Sequence, residues 1–469
     1  MSKKNQNYTN RKQNRFQPER MRGNIFVNNS GKQWLPGKNG RAAKVERLLR
    51  GLEKKEIAGN MAGYKDSGIE YIGQVPKDWE VLRLKNISNI YAAKEYLFGE
   101  WPVEKNGKPY SPFGEWSSGN EVIITGRVGT IGQYEMLEKN PKKKILINDN
   151  RLLIRPFTED YRKKALSHFL FWAMAIVNLN DIITGSAVPL ITATSLLEKR
   201  IVVPPLSEQQ RIADFLDTKC GILDRTIDAV SQQIEDLEKY KKALITKTVT
   251  KGIYKKGEPE RAMKDSGVEW IGEVPEEWDV KRNSLNFDIR KTLVGENWSN
   301  MQLLSLTTNG VKNITIDDQV GKRPKTLATY QIAHKNDIVM CLFDLDASAV
   351  FSGLCKKNGI ISPAYKLLKC KNGMFPPYAE YYFRAVFDGR KYKKYAKSIR
   401  YTISTNDFMH LKMPVPPLAE QQQIADYLDE KCKNINNRVQ KRRQQLEWLK
   451  EYKKSLIFDY VTGKKRVEK

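Results

Sequence analysis

Few side chains in this sequence are spaced for catalysis. Three histidines (His168, His334, His410) and five cysteines (Cys220, Cys341, Cys355, Cys370, Cys432) are scattered over 469 residues. No histidine stands at a metal-ligand spacing from a cysteine or from another histidine, so a zinc site is not expected. The cysteines form no CxxC pair, and their odd, dispersed count points to a reducing cytosol and not to a disulfide framework. A glycine-rich turn, Gly126-Arg127-Val128-Gly129-Thr130-Ile131-Gly132, lacks both the Walker lysine and the GxGxxG order, which argues against nucleotide binding. What the sequence does supply is cations. The formal net charge is +27 and the pI is near 9.6. A field of that sign attracts polyanions and speeds their encounter. Nucleic acid is the first candidate partner, an acidic membrane surface the second; a basic ribosomal or export-type protein is the plainer alternative.

The cations fall in clusters with aromatic neighbours. Lys142, Lys143 and Lys144 form one, and Lys322, Arg323 and Lys325 a second. The run Arg390-Lys391-Tyr392-Lys393-Lys394-Tyr395 is a third, and Arg127, Arg400 and Tyr401 complete the candidate set. Lysine and arginine on loops suit phosphate contacts, and arginine suits guanine edges. For any one cluster, a solvated face is an equally good reading. Phe375-Pro376-Pro377-Tyr378 resembles the four-residue catalytic motif of adenine N6 methyltransferases, but phenylalanine cannot accept a hydrogen bond from the amino group. No glycine-rich cofactor motif precedes it, so it reads as the entrance to a helix.

A repeat organises the chain that carries these clusters. Lys65-Asp66-Ser67-Gly68-Ile69-Glu70-Tyr71-Ile72-Gly73-Gln74-Val75-Pro76, followed by Trp79, recurs as Lys264-Asp265-Ser266-Gly267-Val268-Glu269-Trp270-Ile271-Gly272-Glu273-Val274-Pro275, followed by Trp278. Further on, Val203-Pro204-Pro205-Leu206-Ser207-Glu208-Gln209-Gln210 recurs as Val415-Pro416-Pro417-Leu418-Ala419-Glu420-Gln421-Gln422. The first offset is 199 residues and the second 212, so the block between the motifs is 13 residues longer in the second half. The blocks themselves, about 84–200 and 283–412, share little else. Drift after a duplication would not confine divergence to one block per half. The repeated motifs therefore read as frame, and the blocks as the places where the halves do different work.

Prolines 204–205 and 416–417 cannot lie inside a helix, so helices start after them. Ser207 followed by Gln210 has the spacing of a capping box. Beyond it, apolar residues recur at alternating spacings of four and three. Leu216, Cys220, Leu223, Ile227, Val230, Ile234 and Leu237 make the first seam, with Lys241 interrupting before Leu244. Leu428, Cys432, Ile435, Val439, Leu446 and Leu449 make the second, with Arg442 and Lys453 interrupting before Leu456. This is a coiled-coil pattern, and two such seams in one chain are expected to pack on each other. A helix of roughly 40 residues spans about 60 Å, enough to hold two domains apart. Lys241 and Lys453 occupy equivalent seam positions, where they fix register or snorkel out.

The blocks read as mixed α/β. Strands are expected at Glu121 to Thr125, Lys144 to Ile154 and Asp337 to Phe343. Helices are expected at Ala165 to Leu179 and at Pro377 to Phe387. The fold class is α+β: two mixed α/β recognition domains separated by an antiparallel pair of long coiled-coil helices, with pseudo-twofold repetition. The divisions are a basic extension over 1–62, a first domain over 63–203, a long helix over 204–252, a second domain over 262–415 and a second long helix over 416–462. The stretch Ala165 to Leu179 is interrupted by Ser167, His168 and Asn178, so no membrane span is expected. The N-terminus is polar and lacks the apolar core of a secretory signal.

Both motifs, in their order and each present twice, resemble those of the specificity subunits of type I restriction–modification systems. The resemblance covers about residues 64–469, and Gly359-Ile360-Ile361-Ser362-Pro363-Ala364-Tyr365 is similar to a segment of that family's recognition domains. It implies two target-recognition domains, each reading one half of a bipartite, asymmetric site in double-stranded DNA, with the helix pair setting the unread gap. It implies docking of two modification subunits that bind S-adenosylmethionine and methylate adenine, and of restriction subunits that use ATP and Mg. On that reading this cytoplasmic chain carries no cofactor, no metal and no catalytic residue. A coiled-coil adaptor without DNA binding, or a methyltransferase fused to recognition domains, is the alternative. The basic extension, with Lys3, Lys4, Arg11, Lys12, Arg15, Arg20 and Arg22, departs from family members that begin close to the first repeat. It is an arm for phosphates or a partner, or a tail, and Ala42 to Leu52 could form a short helix in it.

Overall fold

The strands that flank each divergent block pair with one another at its base. The strand Glu80–Arg83, just after the first repeat, pairs antiparallel with Arg200–Val203, just before Pro204. In the second half Asp279–Arg282 pairs the same way with Lys412–Val415. Everything between the two strands of such a pair is inserted from one fixed base, so its sequence can vary without moving the frame. The computed structural model describes residues 63–92, 122–125, 132–136, 151–159, 163–185, 189–254, 257, 259–308, 310–315, 326–345, 351–396 and 401–468. The extension, with its helix expected over 42–52, lies outside them.

The chain sorts into two compact units, Met1–Asp228 with Glu447–Lys469, and Ala229–Leu446. The division cuts both long helices, Leu206–Lys251 and Leu418–Val461, so each unit holds one block and a part of each helix.

In the first unit a hairpin (Tyr64–Asp66 with Gln74–Pro76) precedes the frame pair. The block carries a four-stranded antiparallel sheet in the order Ser88–Ala92, Arg151–Pro156, Val122–Thr125, Tyr134–Met136. The expected helix at Ala165 to Leu179 is shorter, Ser167–Met174. Past it, the Asn178 side chain accepts from the Asn180 backbone N–H at 3.1 Å. Such a local bond competes with helix propagation. Of the strand expected at Lys144 to Ile154, the described part is Arg151–Pro156.

The second unit has the matching hairpin, Met263–Asp265 with Glu273–Pro275. Its block builds two four-stranded sheets. One runs Phe287–Arg290, Lys366–Cys370, Ile338–Met340, Ser352–Leu354; the other runs Gly310–Ile314, Leu303–Thr307, Gly359–Ile361, Gln331–Ala333. The strand expected at Asp337 to Phe343 is the short central strand Ile338–Met340, buried throughout. The helix Pro376–Asp388 has its prolines in the first turn, where the missing N–H costs nothing. It packs Tyr378, Tyr382 and Phe383 into the core. The Tyr378 hydroxyl finds the Pro414 and Val249 carbonyls at 2.9 and 3.2 Å.

Both long helices begin on a proline carbonyl. Pro205 O accepts from Glu208 and Gln209 N–H, and Pro417 O from Glu420 and Gln421 N–H. Here the expected capping box is corrected. Leu206 already opens the helix, so Ser207 lies inside the first turn, and the Gln210 side chain reaches forward to Asp214 at 2.9 Å. Along the seam, Leu216, Cys220, Leu223, Val230, Leu428, Cys432, Ile435, Val439, Leu449 and Leu456 are buried. Ile227, Ile234, Leu237 and Leu446 are half-buried. Pairing is antiparallel within each unit. In the first, Phe215 packs on Tyr460 and Asp224 bonds Lys453. In the second, Asn436 bonds Lys241 and Arg443 bonds Glu238. No helix among the described residues is long and apolar enough to cross a membrane.

Candidate nucleic-acid interface

The two repeats build the same frame with the same bonds. In each hairpin turn an aspartate caps a glycine: Asp66 accepts from Gly68 N–H and Asp265 from Gly267 N–H, both at 2.9 Å. The turns need left-handed backbone at Gly68 (φ 65°) and Gly267 (φ 64°), which glycine adopts without steric cost. Trp79 and Trp278 are fully buried, and each indole N–H donates to the glutamate that opens a long helix. Trp79 meets Glu208 at 3.0 Å and Trp278 meets Glu420 at 2.9 Å. An arginine completes each pair. Arg261 holds Glu420 at 2.5 Å and also Glu277, and the Glu420 bond leads the effects that push its pKa up. Arg466 bonds Asp78 at 2.7 Å and approaches Glu208 at 3.3 Å. Burial works against the Arg466 charge, and its carboxylates outweigh that and raise its pKa.

Gln209 and Gln421, both with no exposed surface, tie the long helices to the blocks. Gln209 accepts from Leu166 N–H at 2.8 Å and donates to the Lys164 and Pro204 carbonyls. Gln421 accepts from Phe375 N–H at 2.8 Å and donates to Gly373 and Pro416. Leu166 and Phe375 are the residues at which the block helices begin. Each frame therefore aims its block helix from the start of a long helix. The Pro-Pro-Leu-x-Glu-Gln-Gln spelling signals the helix start, but not that its Glu and Gln reach residues far away in sequence.

Of the candidate DNA-contacting residues, Arg390, Lys391 and Tyr401 are described. Arg127, Lys142, Lys143, Lys144, Lys322, Arg323, Lys325 and Arg400 lie outside the described residues. The basic run forms the 3-10 turn Lys391–Tyr395 on the second unit. Lys391 stands over the Trp270 ring at 5.9 Å, Lys393 over Tyr401 at 4.6 Å, and exposed Lys394 pairs with Glu269. Tyr392 anchors the turn in the core, 3% exposed. Sequence reasoning missed Lys393 and Lys394 as individual candidates, although both stand in the run it singled out. Arg390 is occupied: its guanidinium lies 4.4 Å from the Phe387 ring centre and donates to the Leu345 carbonyl at 2.9 Å. Among the described residues no cluster of histidine, cysteine or carboxylate side chains is arranged to hold a metal.

The helix seam has one polar layer in each unit. Lys241, 7% exposed, donates to Asn436 at 3.0 Å and pairs with Glu238 at 2.9 Å. Lys453 bonds both oxygens of Asp224, at 2.6 and 2.7 Å. Asp224 and Asn436 stand at the same distance past Pro205 and Pro417, so the layers are equivalent, with one carboxylate replaced by an amide.

A frame used twice, each time around a mixed α/β block and at the start of a long helix, defines a protein of two related units. The family model for the type I restriction modification DNA specificity domain matches twice, over residues 76–239 and 308–447, and the chain belongs to that family. It is 24% identical over 436 residues to the type I restriction enzyme MjaVIII specificity subunit of Methanocaldococcus jannaschii, covering 84% of this chain and 95% of that protein. The putative MjaX specificity subunit of the same organism is 24% identical over 440 residues, covering 85% and 96%. A chain from a structure titled for complex assembly and conformational transition of the type I R-M system has the same fold. Its TM-score is 0.58 at 16% identity, covering 83% of this chain and 99% of that one. The role of the family, DNA sequence specificity, is thus the role of this chain.

Proposed function

We propose that this chain is the reading subunit of a type I restriction–modification complex and does no chemistry of its own. Each unit reads one half of a bipartite, asymmetric site in double-stranded DNA. The helix pair sets the gap between the halves and docks two modification subunits. S-adenosylmethionine is bound by those subunits, and ATP and Mg by restriction subunits, all in the cytoplasm. The observation that carries this reading is the same frame built twice, with the same indole–glutamate and glutamine bonds, around two blocks that differ in sequence. The net charge of +27 supports DNA as the polyanion, with phosphate contacts supplying affinity and steep salt dependence. Lys391, Lys393 and Lys394 suit phosphate contact on the second unit. The clusters Arg127, Lys142–Lys144, Lys322–Lys325 and Arg400 are candidates for the same work.

The test is to express the chain with its modification subunits in a host free of such methylation and to map methylated adenines across the genome. A split, asymmetric motif is expected. Exchanging 84–200 for the block of a relative should change one half of that motif only; a change in both halves refutes the assignment. One heptad inserted after Val230 and another after Arg442 should lengthen the gap. Purified chain alone should transfer no methyl group.

A further inference from the structure

Four non-glycine residues among those described have left-handed backbone: Asn336, Asp344 (φ 52°), Arg390 (φ 49°) and Tyr401 (φ 44°). All four are in the second unit, and the last three meet. The Leu345 N–H, one residue past Asp344, donates to the Tyr401 carbonyl at 3.3 Å. The Leu345 carbonyl accepts from Arg390 Nη1 at 2.9 Å. The Ile403 N–H ties the same segment to the Leu342 carbonyl at 2.9 Å. Arg390 also lies on Phe387, whose other neighbour is Phe351, stacked at 5.8 Å. Each such backbone costs on the order of 1–3 kcal/mol and persists only where its surroundings over-determine it. A merely solvated row of lysines needs no such arrangement, since an unstrained turn displays them equally well. Here the strain sits at the base of the basic turn, because Arg390 is the residue from which Lys391–Tyr395 starts and Tyr401 is the ring beneath Lys393.

We infer that Arg390 is a positioning residue for half-site specificity: with Asp344 and Tyr401 it clamps Leu345 and fixes the start of the turn that carries Lys391, Lys393 and Lys394, and it does not itself read a base. This rests on the DNA-reading role proposed above. The guanidinium face and one of its nitrogens are engaged within the protein, so Arg390 acts through the turn it starts. A turn held in one conformation lowers the ordering cost of binding. It also ties the register of the protein on the duplex to the position of Leu345.

Full-length chains carrying Arg390→Lys, Arg390→Ala or Tyr401→Gly, each assembled with the modification subunits, are compared by the same genome-wide map. Lysine keeps the charge but lacks the planar fork and face, so it should not rescue. Glycine removes the strain at 401 but also a ring packed against the core, so a modest fall in melting temperature is expected beside the change of motif. All three should make one half of the motif degenerate, with roughly tenfold loss of discrimination, the scale of one bidentate base contact. The other half and the gap should stay as they are. An unchanged motif in all three, or equal loss in both halves, would overturn the inference while leaving the DNA-reading role intact. A wild-type complex that yields no split motif would overturn that role, and the inference with it.

Discussion

Trp79 and Trp278 are sealed by the same chemistry supplied along different routes. In the second unit Arg261 arrives from the short stretch that follows the first long helix, within the same continuous run of chain. In the first unit Arg466 arrives from beyond the second long helix, 388 positions from Asp78. Tyr64 confirms the route, donating to the Gly463 carbonyl at 2.8 Å. The frame is thus a matter of spatial neighbours, and chain order is free to differ so long as the glutamate that opens a long helix finds both an indole and a guanidinium. The blocks differ in the opposite sense. Their chain order is alike, and among the described residues their content is not: the second shows a further four-stranded sheet and the strained clamp.

The largest expected effect tests the equivalence of the frames. Trp79→Ala should destabilise the first unit by about 3–5 kcal/mol and Trp278→Ala the second by the same amount, the cost of emptying a well-packed aromatic site. Hydrogen exchange resolved along the full-length chain would read each unit. Collapse of both units from either single change would break the comparison.

Next comes a difference between the units in pH response. Burial pushes the Glu380 carboxyl from 4.5 up to about 7, against the partial relief of Arg384 and Lys356, and its Oε2 is buried without a hydrogen bond. A raised folded pKa means that the folded state binds the proton more tightly than the unfolded one. Its contribution is fully present below about 4.5 and is lost as pH rises through 7, by roughly 3 kcal/mol at most. Glu380→Gln should flatten that decline in the second unit only, as followed by denaturant unfolding across pH 4.5–8.

The glycines that end the two long helices should separate the frames further. A Cβ on Gly463 (φ 70°) would lie 2.6 Å from the Pro76 ring, whereas one on Gly252 (φ 81°) would first meet the far end of the Arg261 side chain, at 2.7 Å. Both substitutions strain the backbone, but only the second clash is relieved by a side-chain rotation. Gly463→Ala should cost about 1–3 kcal/mol and Gly252→Ala visibly less, by thermal unfolding. Equal costs would mean that the arginine cannot move aside.

The smallest effect concerns the seam. Lys241→Met relieves a buried charge while Glu238 keeps Arg443 at 3.4 Å, so stability should be unchanged or slightly higher. Lys453→Met loses a half-exposed ion pair with Asp224 and should cost under about 1 kcal/mol in urea unfolding.

Local signals made much of this legible. Two prolines announce each long helix, the four-three spacing names the seam, and the recurring Asp-Ser-Gly motif marks the frame. Those features depend on residues a few positions apart. The bonds of Trp79 to Glu208, of Gln421 to Gly373 and of Arg466 to Asp78 span long stretches of chain, and no spacing rule announces them. Left-handed backbone at Arg390 and Tyr401 was equally hidden, because neither residue type favours it and the surroundings impose it. Arg390 entered as a candidate contact on charge alone; its ring stack and carbonyl bond were invisible at that level. The seam residues were readable, but not that the compact units would divide both helices.

The route of Arg466 has a consequence for order of synthesis. Residues 229–446 form the second unit from one uninterrupted run of chain, so everything that seals Trp278 has been synthesised before residue 447 is added. The first unit has most of its residues earlier, yet Trp79 and Glu208 wait for Gly463 and Arg466. The part translated first is completed last, and until then Glu208 lacks its arginine and Trp79 the cover that Gly463 brings. That interval is when this chain is most open to aggregation or to a chaperone.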